Sequence, residues 1–242
     1  PDDQYVLYDA YRNFENDIFA YHIPTRKSVN LTHTKVSESG EYWSPDGKYI
    51  YFHSDRLQPS YPYGTRNAHI YRIALDKFDD PFMSDKVAAL FEEKDKEEDK
   101  KGEGNKEENG VKKDDKPKTS INTDDIMKRI ERIGPSFGQQ FGPYVIQKDD
   151  KTTVLYLSNH EKGESGLWKT TIQPFEESKT ERISSKRING YQIEEADSKY
   201  YLLTGGNLHT LDVDGGKIEQ IKINHKFSKT LKAEFDQMFY EA

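Results

Sequence analysis

One turn-and-strand pattern recurs along this chain and restricts its fold more than any other feature. The clearest copy is Tyr42–Asp55, which reads Y-W-S-P-D-G-K-Y-I-Y-F-H-S-D. Pro45, Asp46 and Gly47 are typical turn residues, because proline fixes φ, aspartate hydrogen-bonds to nearby backbone and glycine accepts a left-handed conformation. The aromatic and β-branched residues after the turn predict a strand, and the shorter run before it predicts the partner of a hairpin.

The same pattern appears three more times. Pro1–Tyr8 matches it in register, and Lys148–Leu155 and Ala196–Leu203 are weaker copies. Two further strands are predicted after each copy: Asp17–Ile23, Ala68–Leu75, Gly166–Ile172 and Asn207–Val213 as third strands, and Ser28–Thr32, Met127–Ile133, Lys179–Ser184 and Lys217–Ile223 as fourth strands. Four-stranded units at a period of roughly 40–50 residues are typical of a β-propeller. A sandwich or irregular all-β domain is the alternative, and the recurrence of the turn in register favours propeller blades.

The predicted blades divide the chain into four parts. They cover residues 1–33, 38–133, 142–184 and 189–223 of a β-propeller segment that runs from 1 to 227. The first copy of the repeat starts inside its turn, so we expect the innermost strand of that blade before Pro1. Four blades lie at the low end of the usual range of about 4–8, so further blades are also expected there.

A charged insertion interrupts the second predicted blade. Residues 92–118 contain 11 acidic and 9 basic side chains and no aromatic residue. Such a run cannot bury apolar surface, which predicts disorder. It is interpreted either as a solvated spacer or as a docking tail for a basic partner. Asp76–Asp85, just before it, lacks the alternating ligands of a calcium loop and is interpreted as a polar turn.

Composition excludes several classes of function. The formal net charge is −7 and no basic stripe is present, so no nucleic-acid partner is expected. No run of about 18 apolar residues predicts a membrane span. The chain has no cysteine, and its seven histidines are not spaced as metal ligands. No phosphate loop, dinucleotide fingerprint or G-x-S-x-G motif is present, so no catalytic, cofactor-binding or metal-binding residue is predicted.

One loop carries residue types that favour recognition. Leu57–Asn67, between the second and third strands of the second unit, contains Tyr61, Tyr63 and Arg66. Tyrosine and arginine are enriched where proteins bind partners, so these three side chains are the candidate peptide or partner contacts. The alternative is a simple rim loop.

The last residues change period. Leu231, Phe235, Met238 and Phe239 fall on one face of a helix predicted over residues 228–242, with Ser228 as its N-cap. An isolated helix of this length is marginal in water. We therefore expect these four side chains to contact a following core domain.

Several segments resemble known families. S-P-D-G-K-Y-I-Y-F followed by I-Y-R-I resembles the propeller repeat of the TolB and tricorn families. Ile121–Ile133 is similar to the tricorn-type segment in which I-D-x-x-G-I leads into an R-(V/I)-x-R-(L/I) strand, although Asp125 stands where that family commonly has glycine. Glu234–Ala242 resembles the helix that opens the peptidase core of tricorn-like proteases.

The resemblance implies a function for the parent polypeptide. It implies the non-catalytic propeller of a tricorn-like serine endopeptidase, in which residues 228–242 open a peptidase core with a PDZ module and a Ser/His active site beyond this chain. The implied partners are a peptide or unfolded-protein substrate, which the propeller filters or guides, and the rest of the same polypeptide; a homo-oligomer is compatible. The alternatives are a TolB-like interaction propeller of the bacterial envelope without peptidase activity, and the propeller of a prolyl-oligopeptidase-type enzyme. The implied compartment is the bacterial periplasm or envelope, with the cytoplasm as the alternative.

The predicted absence of an innermost strand has a measurable consequence. An unpaired strand edge promotes aggregation, so we expect residues 1–242 expressed alone to self-associate. Size-exclusion chromatography and thermal melting test this expectation. A monodisperse fragment with one cooperative melting transition would contradict it.

Overall fold

The described part of the chain, taken from a computed structural model, consists mainly of antiparallel strands and the turns between them. The structure describes residues 1–12, 14–59, 67–78, 117–224 and 230–241. The strands are β1 (Tyr5–Arg12), β2 (Glu15–His22), β3 (Lys27–Asn30), β4 (Glu38–Trp43), β5 (Tyr49–Ser54), β6 (His69–Ala74), β7 (Ile130–Ile133), β8 (Gln140–Lys148), β9 (Lys151–Ser158), β10 (Gly166–Ile172), β11 (Lys179–Arg182), β12 (Gln192–Ala196), β13 (Lys199–Thr204), β14 (Asn207–Asp212) and β15 (Lys217–Gln220), and the helix α1 is Leu231–Glu241. Apart from its last two residues, the charged insertion lies outside the described residues.

The strands form four sheets in which neighbours in sequence are neighbours in space. Sheet 1 contains β1–β3, sheet 2 contains β4–β7, sheet 3 contains β8–β11 and sheet 4 contains β12–β15. Every pairing is antiparallel. This meander is how a propeller blade is built. The predicted fold class, all-β with four-stranded antiparallel blades and a short C-terminal helix, is therefore confirmed.

The turn that defines the repeat has the predicted chemistry. The Asp46 carboxylate accepts a hydrogen bond from the Lys48 amide at 3.0 Å, and the Gly47 amide donates to the Ser44 carbonyl at 2.9 Å. Gly47 takes φ +70°, and a Cβ there would lie 2.7 Å from Thr119 Oγ1. Both the backbone angle and the close approach therefore require glycine.

A second repeat, at the start of the first strand of sheets 2 and 3, was not predicted. β4 begins E-S-G-E-Y and β8 begins Q-F-G-P-Y. Glu38 pairs with Ser54 and Gln140 pairs with Ser158, and all four residues are buried. The register of both strands then shifts at a bulge. Such a bulge bends the strand and sets which residues face the neighbouring sheet.

The bulge also corrects the alignment of the repeats. Tyr42 lies opposite Tyr51 in sheet 2, and Tyr144 lies opposite Leu155 in sheet 3. The structural equivalent of Tyr51 is therefore Leu155, and not Val154 as the sequence comparison indicates. The reason is that the β8–β9 hairpin has one more residue in each arm: ten residues separate Tyr144 from Leu155, whereas eight separate Tyr42 from Tyr51.

Residues 1–190 form one compact unit, and two apolar clusters lie among its described residues. In it, β4 packs against β1 and β2, and β8 packs in the same way against β5 and β6. The first cluster contains Ile18, Ala20, Leu31, Ile50, Phe52, Tyr71, Ile73, Leu75 and Ile126, and the second contains Tyr51, Ile70, Ile133, Val145, Val154, Tyr156 and Trp168. The matching contacts show that β1, β2 and β3 hold the positions of the second, third and fourth strands of a blade.

Residues 191–242 form the second compact unit, which holds sheet 4 and α1. Asp197 and Ser198, with φ of 50° and 57°, make the tight turn between β12 and β13. Asp212 pairs with Lys217 across the β14–β15 turn, so the strands predicted over Asn207–Val213 and Lys217–Ile223 form a hairpin. The predicted C-terminal helix is also confirmed, and its first described turn starts at Leu231.

The fourth strand of sheet 2 is shorter than predicted. Residues Ile126–Arg129 form a 3-10 helix, so β7 begins at Ile130 and not at Met127. The Arg129 guanidinium stabilises this helix by donating hydrogen bonds to the carbonyls of Ala74, Asn122 and Asp124. Asp125 precedes the helix with φ 57°, the left-handed conformation that glycine adopts without strain. Aspartate is one of the few other residues that tolerate it, so the backbone is the one expected for glycine.

The two bulge glycines offer a matched pair of substitutions. Gly40 and Gly142 have φ of +67° and +61°, so alanine at either position should cost about 1–2 kcal/mol of stability from the left-handed backbone. A Cβ at Gly40 would also lie 2.6 Å from His53 Nδ1, whereas nothing lies within 4 Å of one at Gly142. We expect Gly40→Ala to lose about 1–3 kcal/mol more than Gly142→Ala in urea unfolding. Equal losses would contradict the close approach of the His53 ring to Gly40.

Candidate functional site

Polar side chains, most of them buried, gather where the first strand of one sheet begins beside the preceding sheet. The first junction, between sheets 1 and 2, contains Asp17, Thr34 and Glu38. The second junction, between sheets 2 and 3, contains His69 and Gln140. Each junction is bordered by a surface recess, and together they form the candidate site.

At the first junction, Asp17 organises the connection between sheets 1 and 2. Its Oδ2 atom accepts a hydrogen bond from Asn30 Nδ2 at 2.8 Å, and its Oδ1 atom accepts one from the Thr34 amide at 3.3 Å. Asn30 Oδ1 in turn accepts the amides of Thr32 and His33 at 3.1 and 2.9 Å. The buried carboxylate therefore has compensating donors, as a group removed from water requires.

Glu38 is the most unusual group at this junction because it is fully buried. Thr34 Oγ1 lies 2.9 and 2.8 Å from its two carboxyl oxygens, and Ser54 Oγ lies 3.4 Å from one of them. Burial raises the pKa of Glu38 to about 7, and the nearby Asp17 charge acts in the same direction. The hydrogen bond from Thr34 and the charge of Arg56 oppose this rise. With a pKa of about 7, the carboxyl group is partly protonated near neutral pH.

The recess at the first junction is lined by both positively and negatively charged side chains. Its volume is about 640 Å³, and it is lined by Arg12, Phe14, Glu15, Asp17, His33, Thr34 and Lys35. Ser37 Oγ donates to Glu15 Oε2 at 2.6 Å, and this hydrogen bond holds the Glu15 carboxylate in place at the edge of the recess. A recess with cations and carboxylates side by side suits a dipolar group, such as a peptide unit, better than a polyanion.

The recess at the second junction is lined mainly by uncharged polar groups. Its volume is about 500 Å³, and it is lined by Leu57, Gln58, Asn67, His69, Ser136, Phe137, Gly138, Gln139 and Asn159. Burial lowers the pKa of His69, and the Arg132 charge acts in the same direction, so the imidazole is neutral at pH 7. Its ring lies near the backbone of Asn67 and Ser136, but neither ring nitrogen makes a well-formed hydrogen bond with a described residue.

At the second junction, Gln140 holds the position that Glu38 holds at the first, so an amide stands where the first junction has a carboxyl group. Its Oε1 atom accepts the Ile70 amide at 3.1 Å, and its Nε2 atom donates to the Pro135 carbonyl at 2.8 Å. Glu38 and Gln140 thus hold equivalent positions with different protonation chemistry. Sequence reasoning missed both, although the shared pattern of a polar residue, glycine two positions later and tyrosine two positions after that was a usable signal.

The predicted contact residues fall in two regions. Tyr61, Tyr63 and Arg66 lie outside the described residues, so their role stays a prediction. The described ends of the same loop, Leu57 and Asn67, line the second recess. The predicted recognition loop therefore begins and ends at this recess.

The predicted core-domain contacts lie on α1. Leu231, Phe235, Met238 and Phe239 are 66%, 63%, 61% and 85% exposed. Their contact with a following domain stays a prediction.

Two serine–histidine hydrogen bonds invite a test for nucleophilic catalysis. Ser39 Oγ lies 3.0 Å from His53 Nε2, and Ser158 Oγ lies 2.6 Å from His160 Nδ1. Burial lowers the pKa of His53 to about 4, and among the described residues no group hydrogen-bonds to its Nδ1 atom. A Ser–His–acid triad needs a carboxylate at that nitrogen, so Ser39 and His53 do not form one.

The described part of the chain lacks two other kinds of feature. It contains no group of three or more His, Asp or Glu side chains that could hold a metal ion. None of its helices combines the length and the apolar character needed to cross a membrane.

Comparison with known proteins gives structural neighbours only. No protein-family model and no curated protein matches the sequence. The tricorn protease structure matches with a TM-score of 0.56 and 12% identity, covering 98% of this chain and 23% of the tricorn chain. TolB from Acinetobacter baumannii matches with a TM-score of 0.52 and 13% identity, covering 92% of this chain and 41% of that chain.

These neighbours establish the fold of the chain. The predicted resemblance to the tricorn and TolB propellers is confirmed at that level. The chain spans less than half the length of either neighbour. Activity is a separate question, because one fold carries many functions.

The buried acid predicts a pH-dependent stability. A carboxyl group whose pKa rises from 4.5 to about 7 on folding stabilises the fold fully below pH 4.5, and this contribution is lost as the pH rises towards 7. The loss amounts to about 3 kcal/mol. Glu38→Gln keeps an acceptor for Thr34 and removes the titration. We therefore expect the stability difference between wild type and Glu38→Gln, measured by urea unfolding, to shift by that amount between pH 4.5 and 7.5. A pH-independent difference would contradict the buried carboxyl.

Proposed function

We propose that this chain is the non-catalytic β-propeller part of a tricorn-like serine endopeptidase that degrades peptides and unfolded polypeptides. In this proposal the propeller filters or guides the substrate to a downstream active site. Residues 1–227 are the propeller segment, and 228–242 are the first helix of the peptidase core. Serine peptidase activity belongs to the parent polypeptide.

The observation that carries the proposal is the extent of the structural match. Tricorn protease aligns with 98% of the chain, and the order of sequence segments points to the same family. In particular, the segment Ile121–Ile133 follows the charged insertion, and α1 follows the last blade. A propeller repeat alone would not specify this order.

The chemistry of the two recesses suits a polypeptide substrate. The first recess presents charges of both signs, and the second presents amide side chains and a neutral imidazole. Peptide groups are dipolar and carry one donor and one acceptor each, so both surfaces can hydrogen-bond to a main chain without reading its side chains. A substrate-guiding propeller needs this tolerance of sequence.

A second candidate function is supported by the other neighbour. TolB aligns with 92% of the chain at a TM-score of 0.52, close to the tricorn value. The chain would then be a TolB-like interaction propeller of the bacterial envelope, without a peptidase parent. The same recesses would bind a protein partner.

The test uses the full polypeptide that contains these residues, purified from its source. We expect it to hydrolyse fluorescently labelled, unfolded casein and to react with a fluorophosphonate probe for activated serines. Residues 1–242 alone, the matched control, should do neither. A full polypeptide that binds unfolded casein without hydrolysis or probe labelling would favour the TolB-like function, and one that does neither would overturn both.

A further inference from the structure

The two recesses differ in the charge of the side chains that line them. Five of the seven residues around the first recess are acidic, basic or histidine. Around the second recess, none of the nine described lining residues is an acid, a lysine or an arginine. The His69 imidazole is neutral at pH 7, because burial lowers its pKa. The residues that line the second recess therefore give a ligand no charged partner.

Two large apolar side chains also line the second recess, and both are exposed. Leu57 is 50% exposed and Phe137 is 59% exposed. Single exposed apolar side chains are common on protein surfaces. Two that share one recess form a surface whose burial by a ligand is favourable, because apolar area leaves water. The second recess therefore favours a ligand with an apolar group.

The Phe137 ring is supported from behind by other rings. It meets the His160 ring edge to face, with 5.6 Å between the ring centroids, and the His160 ring lies 4.0 Å from that of Trp168. The backbone beside it is also closely packed, because a Cβ at Gly138 would lie 2.6 Å from His160 Cα. A supported ring loses little conformational freedom when a ligand covers it, so Phe137 is well suited to contact one.

The polar groups of the second recess match those of a main chain. Gln58, Asn67 and Asn159 contribute side-chain amides. The Gln139 backbone amide donates to Asn159 Oδ1 at 2.6 Å, which holds that side chain in place. Each side-chain amide has donors and an acceptor, and each peptide unit presents the complementary pair. The recess thus combines groups that suit a peptide unit with an apolar surface that suits a side chain.

We propose that the second recess binds segments of unfolded polypeptide that carry a large apolar side chain and no charged side chain next to it. The apolar side chain packs on Leu57 and Phe137, and the side-chain amides hydrogen-bond to the main chain beside it. The inference deepens the proposed function and rests on it for a polypeptide as the ligand. Many segments of an unfolded protein meet this requirement, so it is compatible with a broad range of substrates.

The same features disfavour other ligands. A charged side chain that entered the recess would lose water without gaining a counter-charge, which is costly. A cation is the least suitable, because the Arg132 charge already acts on His69 and lowers its pKa. Folded proteins keep most of their large apolar side chains inside and present few of them to a recess. The second recess therefore favours unfolded segments over folded surfaces.

The test measures peptide binding by fluorescence anisotropy. It uses the full polypeptide that contains these residues, treated with the fluorophosphonate probe so that bound peptides are not cleaved. The ligands are short labelled peptides of glycine and serine with one central guest residue: phenylalanine, leucine, alanine, lysine or aspartate. We expect the phenylalanine and leucine peptides to bind at least about tenfold more tightly than the alanine peptide. The lysine peptide should bind most weakly.

Removal of the exposed ring places the apolar preference in the second recess. Phe137→Ala should weaken binding of the phenylalanine and leucine peptides at least about fivefold and leave the lysine peptide unchanged. Phe175→Ala is the matched control, because it removes a ring that is 41% exposed and does not line the recess. This control should change none of the affinities. Circular dichroism checks that each variant keeps its strands.

A change of charge tests the exclusion of cations. Gln58 is exposed, and Gln58→Glu adds one negative charge with almost no change of shape. This variant should bind the lysine peptide at least about fivefold more tightly than wild type does, and the aspartate peptide more weakly. A purely structural role of Gln58 would not reverse the preference between these two peptides.

Hydrolysis of casein separates this inference from the proposed function. If the full polypeptide hydrolyses casein while Phe137→Ala and Gln58→Glu keep the wild-type peptide preferences, the inference is overturned and the proposed function stands. If it hydrolyses nothing but shows the expected preferences and their changes in both variants, the peptidase proposal fails and the inference stands. Equal affinity of the wild type for all guest residues, or equal losses in Phe137→Ala and Phe175→Ala, would also overturn the inference.

Discussion

The packing of one sheet's first strand against two strands of the preceding sheet holds residues 1–190 together. β4 lies on β1 and β2, and β8 lies on β5 and β6. Each such strand starts in the interior, so its first side chain, Glu38 or Gln140, loses its contact with water. A buried polar group must find protein partners, and the connectors before β4 and β8 supply them through Thr34 and Pro135. The course of these connectors, and the recesses beside them, follow from that requirement.

The two junctions repeat one architecture with different chemistry, which is how a repeated fold acquires distinct surfaces. The first recess borders a carboxyl network, and the second borders a neutral amide and imidazole. The difference comes from a few equivalent positions. Glu38 at the first junction corresponds to Gln140 at the second, and Asp17 corresponds to His69. The shared backbone keeps both recesses at the same place relative to their sheets.

Local signals made much of the fold predictable. The turn at Asp46-Gly47, the alternation of strands and the helical period after Leu231 depend on neighbours in sequence, and each is present in the structure. The site was far less predictable. The properties of Glu38 depend on burial by β1, β2 and β5, and no local pattern shows which acid three distant strands will enclose. The predicted start of β7 was wrong for the same reason. Arg129 stabilises the 3-10 helix before β7 by donating to the carbonyl of Ala74, which is far away in the sequence.

The amide at one junction and the acid at the other make the two seams differ in their response to pH. Gln140 keeps its donor and its acceptor at any pH near neutrality, so its hydrogen bonds between sheets 2 and 3 do not depend on the state of a proton. At the seam between sheets 1 and 2, Glu38 gains a charge within a closed interior as the pH rises through about 7. Alkali therefore weakens the contact of β4 with sheet 1 and leaves the hydrogen bonds of Gln140 intact, so one repeated backbone has a seam that senses acidity beside an amide that does not.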